Sequence, residues 1–216
     1  MRKTARTVVW EGAGAQSPAP DPILLGQRCL TSAATVEGDS RTRAEGNDLL
    51  RAGRILTSGM DIKIRTAALT DLPVIADFNV RLARESEDLA LDAACVKAGV
   101  KAVLTDPGKG IYYVAEVAGD VAGQLMITYE WSDWRNSNIW WIQSVYVKPE
   151  LRRAGVFRAL FHHLQSLART QKDVCTLRLY VHAENARACQ SYERLGMTRT
   201  KYEIFELDVR KDGKGE

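Results

Sequence analysis

The residues most able to do chemistry stand together in one stretch, Val145-Tyr146-Val147-Lys148-Pro149-Glu150-Leu151-Arg152-Arg153-Ala154-Gly155-Val156-Phe157-Arg158. The apolar, β-branched opening predicts a strand, and Val156, Leu160, Leu164 and Leu167 then recur at helical spacing. Between them lies a short basic loop. A helix that opens on such a loop points free N–H groups at whatever sits before it, its dipole favours negative charge, and neighbouring arginines add charge-assisted bonds. Gly155 lets the backbone come close. The pattern is that of a cradle for a diphosphate, although Arg-Arg-x-Gly by itself describes a plain strand-loop-helix joint with a solvated basic turn equally well.

Other residues qualify by type. Asn185 opens a second helical pattern, where it can cap the helix or bond a ligand amide, and Tyr192 follows two turns along the same face. Glu130 and Asp133 stand between two strand-like runs, within Tyr-Glu-Trp-Ser-Asp-Trp-Arg, and either can act on a proton directly or through water. Trp131, Trp134, Trp140 and Trp141 surround that loop as a substrate wall, a dimer surface or part of the core. Glu85, Glu87 and Asp88 form a charge run at the end of a helix, which is usually a solvated face. His162, His163 and His182 lack a third partner at metal-ligand spacing, and no metal site is expected. The cysteines, Cys29, Cys95, Cys175 and Cys189, contain no C-x-x-C pair and read as reduced thiols, with Cys189 a packing residue.

These residues need a scaffold. Residues 62–67 alternate apolar and polar as a strand does; Thr70, Asp71 and Pro73 then open a helix carrying Val74, Ile75, Phe78 and Leu82 inward. A second helix is predicted over 92–104 and stops at Asp106-Pro107-Gly108. Strands over 111–117 and 121–129 form a hairpin across Gly119-Asp120, and 138–147 is a further strand. A helix over 155–168, a strand over 177–181, a helix over 186–195 and a strand over 202–209 complete the chain. The fold class is therefore α/β, a mixed sheet flanked by helices in the order β-α-α-β-β-β-α-β-α-β. Residues 1–59 mix Ala, Gly, Ser, Thr, Pro and Arg without periodicity. They are expected to be disordered, or a spurious extension ahead of a natural start at Met60, with the folded domain spanning 60–216.

The cradle resembles motif A of the GNAT superfamily of N-acetyltransferases, R/Q-x-x-G-x-G/A, with Phe157 in place of the last small residue. The segment from Asn185 to Met197 resembles motif B of the same superfamily, in the expected order and separation. The resemblance runs from about Ile62 to Val209 and implies acetyl-CoA as cosubstrate. It implies that the N–H groups from Arg153 to Arg158, with Arg152 beside them, hold the diphosphate, and that the backbone of Val145, Tyr146 and Val147 pairs with the pantetheine arm. Asn185 would cap its helix or bond the pantetheine amide. Acetyl transfer to an amine needs a base, oxyanion donors and an acid for the leaving thiolate. Tyr192 is the candidate acid, Glu130 or Asp133 the candidate base, and a backbone N–H at Val145 the oxyanion donor. The acceptor is then a small-molecule or a peptide amine; the rival reading is a non-catalytic acyl-CoA-binding sensor.

Bulk properties narrow the remaining classes. With 30 Lys and Arg against 27 Asp and Glu, the formal net charge is +3, too small to call for nucleic acid. No apolar run approaches the ~20 residues that cross a bilayer, and Glu11, Asp21, Glu37, Asp39 and Glu45 spoil the acid-poor signature of a targeting peptide. A cytoplasmic protein without a membrane partner is expected, either monomeric or a homodimer.

Overall fold

The computed structural model describes residues 52–57, 60–182, 184–207 and 209. One sheet of six strands carries the fold, its order in space following the order in sequence. The strands are β1 (Ala52–Thr57), β2 (Met60–Thr66), β3 (Ile111–Val117), β4 (Asp120–Ser132), β5 (Ser137–Val147) and β6 (Val174–Arg178). Neighbours run antiparallel from β1 to β5, and only β5 and β6 are parallel. The helices are α1 (Leu72–Glu87), α2 (Ala93–Thr105), α3 (Val156–Thr170) and α4 (Ala186–Arg194).

Alternation along the strands divides the interior in two. Tyr113, Ala115, Leu125, Ile127, Trp140 and Ile142 turn to one face and pack with Ala159, Leu160, Phe161 and Leu164 of α3. Tyr112, Val114 and Met126 turn to the other, where they meet Ile75 of α1 and Val100 of α2. Apolar residues on both faces make a strand read as one continuous run, which is why Tyr112 to Ala115 are all buried. Each large aliphatic side chain sunk this way contributes about 1.5–3 kcal/mol.

Local chemistry sets the element ends. Pro73 lies in the first turn of α1, and the helix stops at Asp88, which adopts the left-handed conformation. Asp92 caps α2 by accepting from the Cys95 N–H at 2.6 Å. Asp71 does not cap α1: its carboxylate accepts from the Ala68 N–H at 2.7 Å and from both terminal nitrogens of Arg65, at 2.6 and 2.9 Å. Those bonds from Arg65 hold the Asp71 carboxyl below the usual carboxylate range, against the opposing effect of burial. The turn of the β3–β4 hairpin is Ala118-Gly119, both at positive φ, one residue earlier than Gly119-Asp120.

β6 begins at Val174 and ends at Arg178, three residues ahead of the strand expected over 177–181, and two further elements differ from the sequence pattern. β1 lies ahead of Met60, in the stretch that shows no periodicity, and pairs from Ala52↔Arg65 to Thr57↔Met60. Residues 1–51, and with them most of the expected N-terminal extension, lie outside the described residues. At the other end, residues 202–207 and 209 form no strand. Tyr202, Ile204, Phe205, Leu207 and Val209 are exposed. Alternation of apolar side chains shows a segment able to pair; pairing also needs a partner strand.

Candidate active site

Three structural features converge on the end of β5. The first is the loop into α3. Arg153 and Gly155 both adopt left-handed backbone, at φ 70° and 89°, and α3 begins at Val156 without a side-chain cap. The first intrahelical bond is donated by the Ala159 N–H to the Gly155 carbonyl at 2.9 Å. The N–H groups of Val156, Phe157 and Arg158 are therefore left for an outside acceptor. The Ala154 N–H already donates to the Leu151 carbonyl, at 3.3 Å.

The two arginines of the motif differ. Arg152 faces inward: its Nε donates to the Val147 carbonyl at 2.9 Å, its Nη2 to Glu85 Oε2 at 2.5 Å, and its guanidinium lies 5.4 Å from the centre of the Tyr146 ring. Tyr146 completes the clamp by donating its hydroxyl to Glu85 Oε1 at 2.9 Å. Burial works against ionisation of Glu85, but the bonds from Arg152 and Tyr146 outweigh it and hold the carboxyl below its ordinary range. Arg152 thus braces the loop against α1. Arg153 and Arg158 are exposed and have no ion pair among the described residues.

The second feature is a split in the sheet. β6 accompanies β5 only from Asn138↔Val174 to Trp141↔Arg178, so among the described residues the edge of β5 from residue 142 to 147 has no strand beside it. On its other side, β5 bulges against β4 between Gln124 and Met126, with Ser144 at φ 50°. Gly123 permits this close approach, because a Cβ there would stand 2.9 Å from the Tyr146 carbonyl oxygen. Val145, Tyr146 and Val147 occupy the stretch just past the bulge. α4 supplies the other lip: Asn185 spends its Oδ1 on capping, accepting from the Ala188 N–H at 3.1 Å, which leaves its amide N–H groups. Tyr192 packs its ring edge-on against Phe157 at 5.7 Å. Burial, with a smaller effect from Cys189, pushes the Tyr192 phenol above its ordinary value, so it stays protonated at neutral pH. The Phe157 that departs from the small-residue pattern is the packing partner of this tyrosine.

The third feature is a cleft of about 430 Å³ between α1, α2 and the sheet, and it ends at Ser144. Its walls are largely apolar, and a polar network closes one end. Gln124, fully buried, donates from Nε2 to Asn79 Oδ1 at 2.7 Å and to the Ser144 carbonyl at 3.3 Å. Asn79 in turn donates from Nδ2 to the Tyr112 hydroxyl at 2.9 Å. Because that oxygen accepts from Asn79, the Tyr112 hydroxyl proton is free for another acceptor. Sequence spacing did not flag Asn79, Tyr112, Gln124 or Ser144. The available signal is a polar residue at a core-facing position: Gln124 within an apolar strand run, and Asn79 beside Phe78 on an apolar helix.

The sequence-predicted carboxylates are spread out. Glu130 lies on the same sheet face as Met126, roughly 13 Å along the strand from the bulge. It accepts from Trp141 Nε1 at 2.5 Å and from Arg178 at 3.3 Å. Asp133 sits in the β4–β5 turn, accepting from the Trp134 N–H at 2.9 Å. Neither lines the cleft; Glu87 does. The tryptophans separate too, Trp140 entering the core while Trp131 and Trp134 are exposed. His163 is buried against Tyr113, and burial lowers its pKa. Cys189 is buried, and Cys95 and Cys175 are free and exposed. Among the described residues, no group of His, Cys, Asp and Glu is placed to hold a metal ion, and no helix is long and apolar enough to cross a membrane.

The bulged strand β5 thus parts from its parallel neighbour beside an uncapped helix N-terminus. The family model described as the acetyltransferase (GNAT) family matches residues 76–197; the chain belongs to that family. Among solved structures it is similar to a possible acetyltransferase from Clostridium difficile 630, with 46% identity and a TM-score of 0.66 over 69% of this chain and 98% of the other. It is also similar to a predicted acetyltransferase with acetyl-CoA from Clostridium acetobutylicum, with 15% identity and a TM-score of 0.57 over 68% of this chain and 96% of that one. A third is the ribosomal-protein-alanine N-acetyltransferase of Brucella melitensis biovar Abortus 2308, with 15% identity and a TM-score of 0.57 over 69% and 99% of the two chains. At 15% identity the last two show the fold alone. None of the curated proteins matches the chain in sequence.

Proposed function

We propose that the protein transfers an acetyl group from acetyl-CoA to the nitrogen of a primary amine by direct attack, in the cytoplasm. The observation that carries this reading is the meeting of the apolar cleft and the β5–β6 split at a single bulge, Ser144 and Val145. Two ligands, one in the cleft and one along the free edge of β5, would meet there. The residues fit the donor: the open N–H groups of Gly155, Val156, Phe157 and Arg158, with Arg153 exposed beside them and Arg152 and Ala154 shaping the loop, suit a diphosphate. The free edge of β5 at Val145, Tyr146 and Val147 suits an amide-bearing arm laid alongside as an extra strand. Asn185 would meet the same arm through its amide N–H.

When bound, acetyl-CoA supplies an activated acyl thioester. In the net reaction the amine nitrogen forms a bond to the acyl carbon and gives up a proton, the carbon–sulfur bond breaks, and the sulfur gains a proton. The backbone N–H at Val145 would steady the charge that gathers on the carbonyl oxygen. Tyr192, held protonated by burial, would give its proton to the departing sulfur. Glu130 shares the cleft's face of the sheet but lies roughly 13 Å along the strand from the bulge, so the amine proton would reach it only through a chain of waters, with Asp133 beyond it in the turn.

The test is thiol release with a broad amine panel, read together with calorimetry of acetyl-CoA. Tyr192→Phe keeps the ring that packs on Phe157, so acetyl-CoA affinity and stability should hold while the rate falls roughly 10- to 1000-fold. Glu130→Gln or Asp133→Asn should slow the reaction mainly near neutral pH and recover as the amine loses its own proton. Binding of acetyl-CoA without turnover of any amine would make the protein a sensor.

A further inference from the structure

Gly99 is out of place in α2 by every local criterion. Glycine is the poorest former of a helix interior after proline, because it surrenders the most backbone freedom, and a glycine kept there normally answers to crowding. Nothing crowds it here: a Cβ built on Gly99 meets no atom within 4 Å. The space beside it is the cleft. Gly99 is itself exposed, so it stands at the mouth of the cleft, and a side chain added there would project into that opening.

The lining of that volume is uneven. Leu82, Leu91, Val96, Val100, Val103 and Met126 form its apolar walls. Asn79, Tyr112 and Ser144 form one polar end, joined through Gln124. Glu87, exposed at the last turn of α1 and about 12 Å along the helix from Asn79, is the one carboxylate on the lining. The neighbouring Glu85 is committed to Arg152 and Tyr146.

We infer that the acceptor is a small primary amine with a single positive charge and an apolar body, lying along Gly99 with its nitrogen at the Ser144 end. This rests on the transferase reading above. A polycation such as a polyamine or an aminoglycoside would bring several ammonium groups against leucine and valine with one carboxylate to meet them, and an unpaired ammonium is costly to desolvate. A peptide laid in the cleft would leave backbone N–H and C=O groups facing the same apolar walls. An alkyl or aryl body gains from those walls instead.

The experiment compares wild type, Gly99→Ala and Gly99→Leu on a series of n-alkylamines and arylalkylamines of increasing length, with spermidine, kanamycin and an alanine-terminated peptide alongside. Thiol release, calorimetric acetyl-CoA affinity and thermal midpoint are read for each variant. With wild type, kcat/KM should rise about 10-fold for each early methylene until the cleft is full. Gly99→Leu should lower the value for the longest amines at least about 10-fold and leave the shortest within about twofold. Acetyl-CoA affinity should not change, and neither variant should melt below wild type. A flat length series would overturn the inference while leaving the transferase intact, and so would preference for spermidine, kanamycin or the peptide. So would long amines indifferent to a folded Gly99→Leu. Binding of acetyl-CoA without turnover of any amine would instead bring down the transferase reading, and the inference with it.

Discussion

The two faces of the sheet are built from alternate residues of the same strands, yet they are held together differently. Against α3 the contacts are apolar and closed, with Leu125, Ile127 and Leu164 wholly buried. Against α1 and α2 the apolar cluster is smaller, and the gaps are occupied by a polar network, an ion pair and an open cleft. One face supplies stability by excluded water; the other gives some of that up to keep space and hydrogen-bonding groups available. A single β-strand can serve both ends because its side chains reverse direction at every residue.

The sharpest way to break this contrast is to empty the closed face. Leu164→Ala should cost about 2–5 kcal/mol, since α3 cannot collapse onto the hole, whereas Val103→Ala on the cleft wall should cost about 1 kcal/mol or less and show itself in KM. Urea unfolding of both variants measures the difference, and equal losses would dissolve the distinction between the faces.

Acid should separate them next. The Arg65–Asp71 pair fastens the start of α1 to β2, and the Asp71 carboxyl titrates below its unfolded value of about 3.9. Its contribution is therefore whole at neutral pH and is lost as the pH falls below about 4 and through the folded pKa. Asp71→Asn should lower stability at pH 7 by about 1–3 kcal/mol and flatten the acid limb of the stability curve. On the α3 face the titrating group is His163, whose pKa burial lowers, so that face should lose stability earlier, as the pH falls below about 6.5, while Leu164→Ala should leave the shape of the Asp71 limb unchanged.

The smallest effect belongs to the cradle. Arg153→Glu should weaken acetyl-CoA binding by about 1 kcal/mol or more and leave stability untouched, because Arg153 is exposed. Arg152→Glu should do both, since it also breaks the clamp on Glu85 and Val147. Calorimetry and thermal melts on the pair sharpen the difference between a residue that binds and one that braces.

What could be read from the sequence was local. α3 and its loop were legible because an apolar stripe, a glycine and two arginines all fall within fifteen residues of one another in the chain, from Arg152 to Leu164. The β3–β4 hairpin was legible through its turn residues, α1 through Pro73 and its apolar stripe, and α2 through the Asp92 cap. The polar network was not legible: Asn79 and Tyr112 are 33 residues apart, and Asn79 and Gln124 are 45 apart. No spacing rule connects them before the sheet forms. Glu130 and Asp133 could be picked by type, but the bonds from Trp141 and Arg178 that engage Glu130 belong to other strands. β1 escaped because six residues at a sheet edge need no alternation to pair. Residues 202–209 show the reverse, a strand-like pattern that is not matched by a partner among the described residues.

The parting of β5 and β6 divides one strand into two kinetic regimes. From Asn138 to Trp141 the backbone of β5 is laddered on both sides, and amides there should exchange with solvent deuterium only when the sheet itself opens. Beyond Trp141 every second amide faces the unladdered edge, where exchange needs no unfolding at all. A single strand should thus show slow uniform protection that gives way past Trp141 to fast exchange at the edge-facing amides, the alternation being interrupted at Ser144 and Val145, which have no partner on β4. The fast amides mark the surface that a bound ligand would silence.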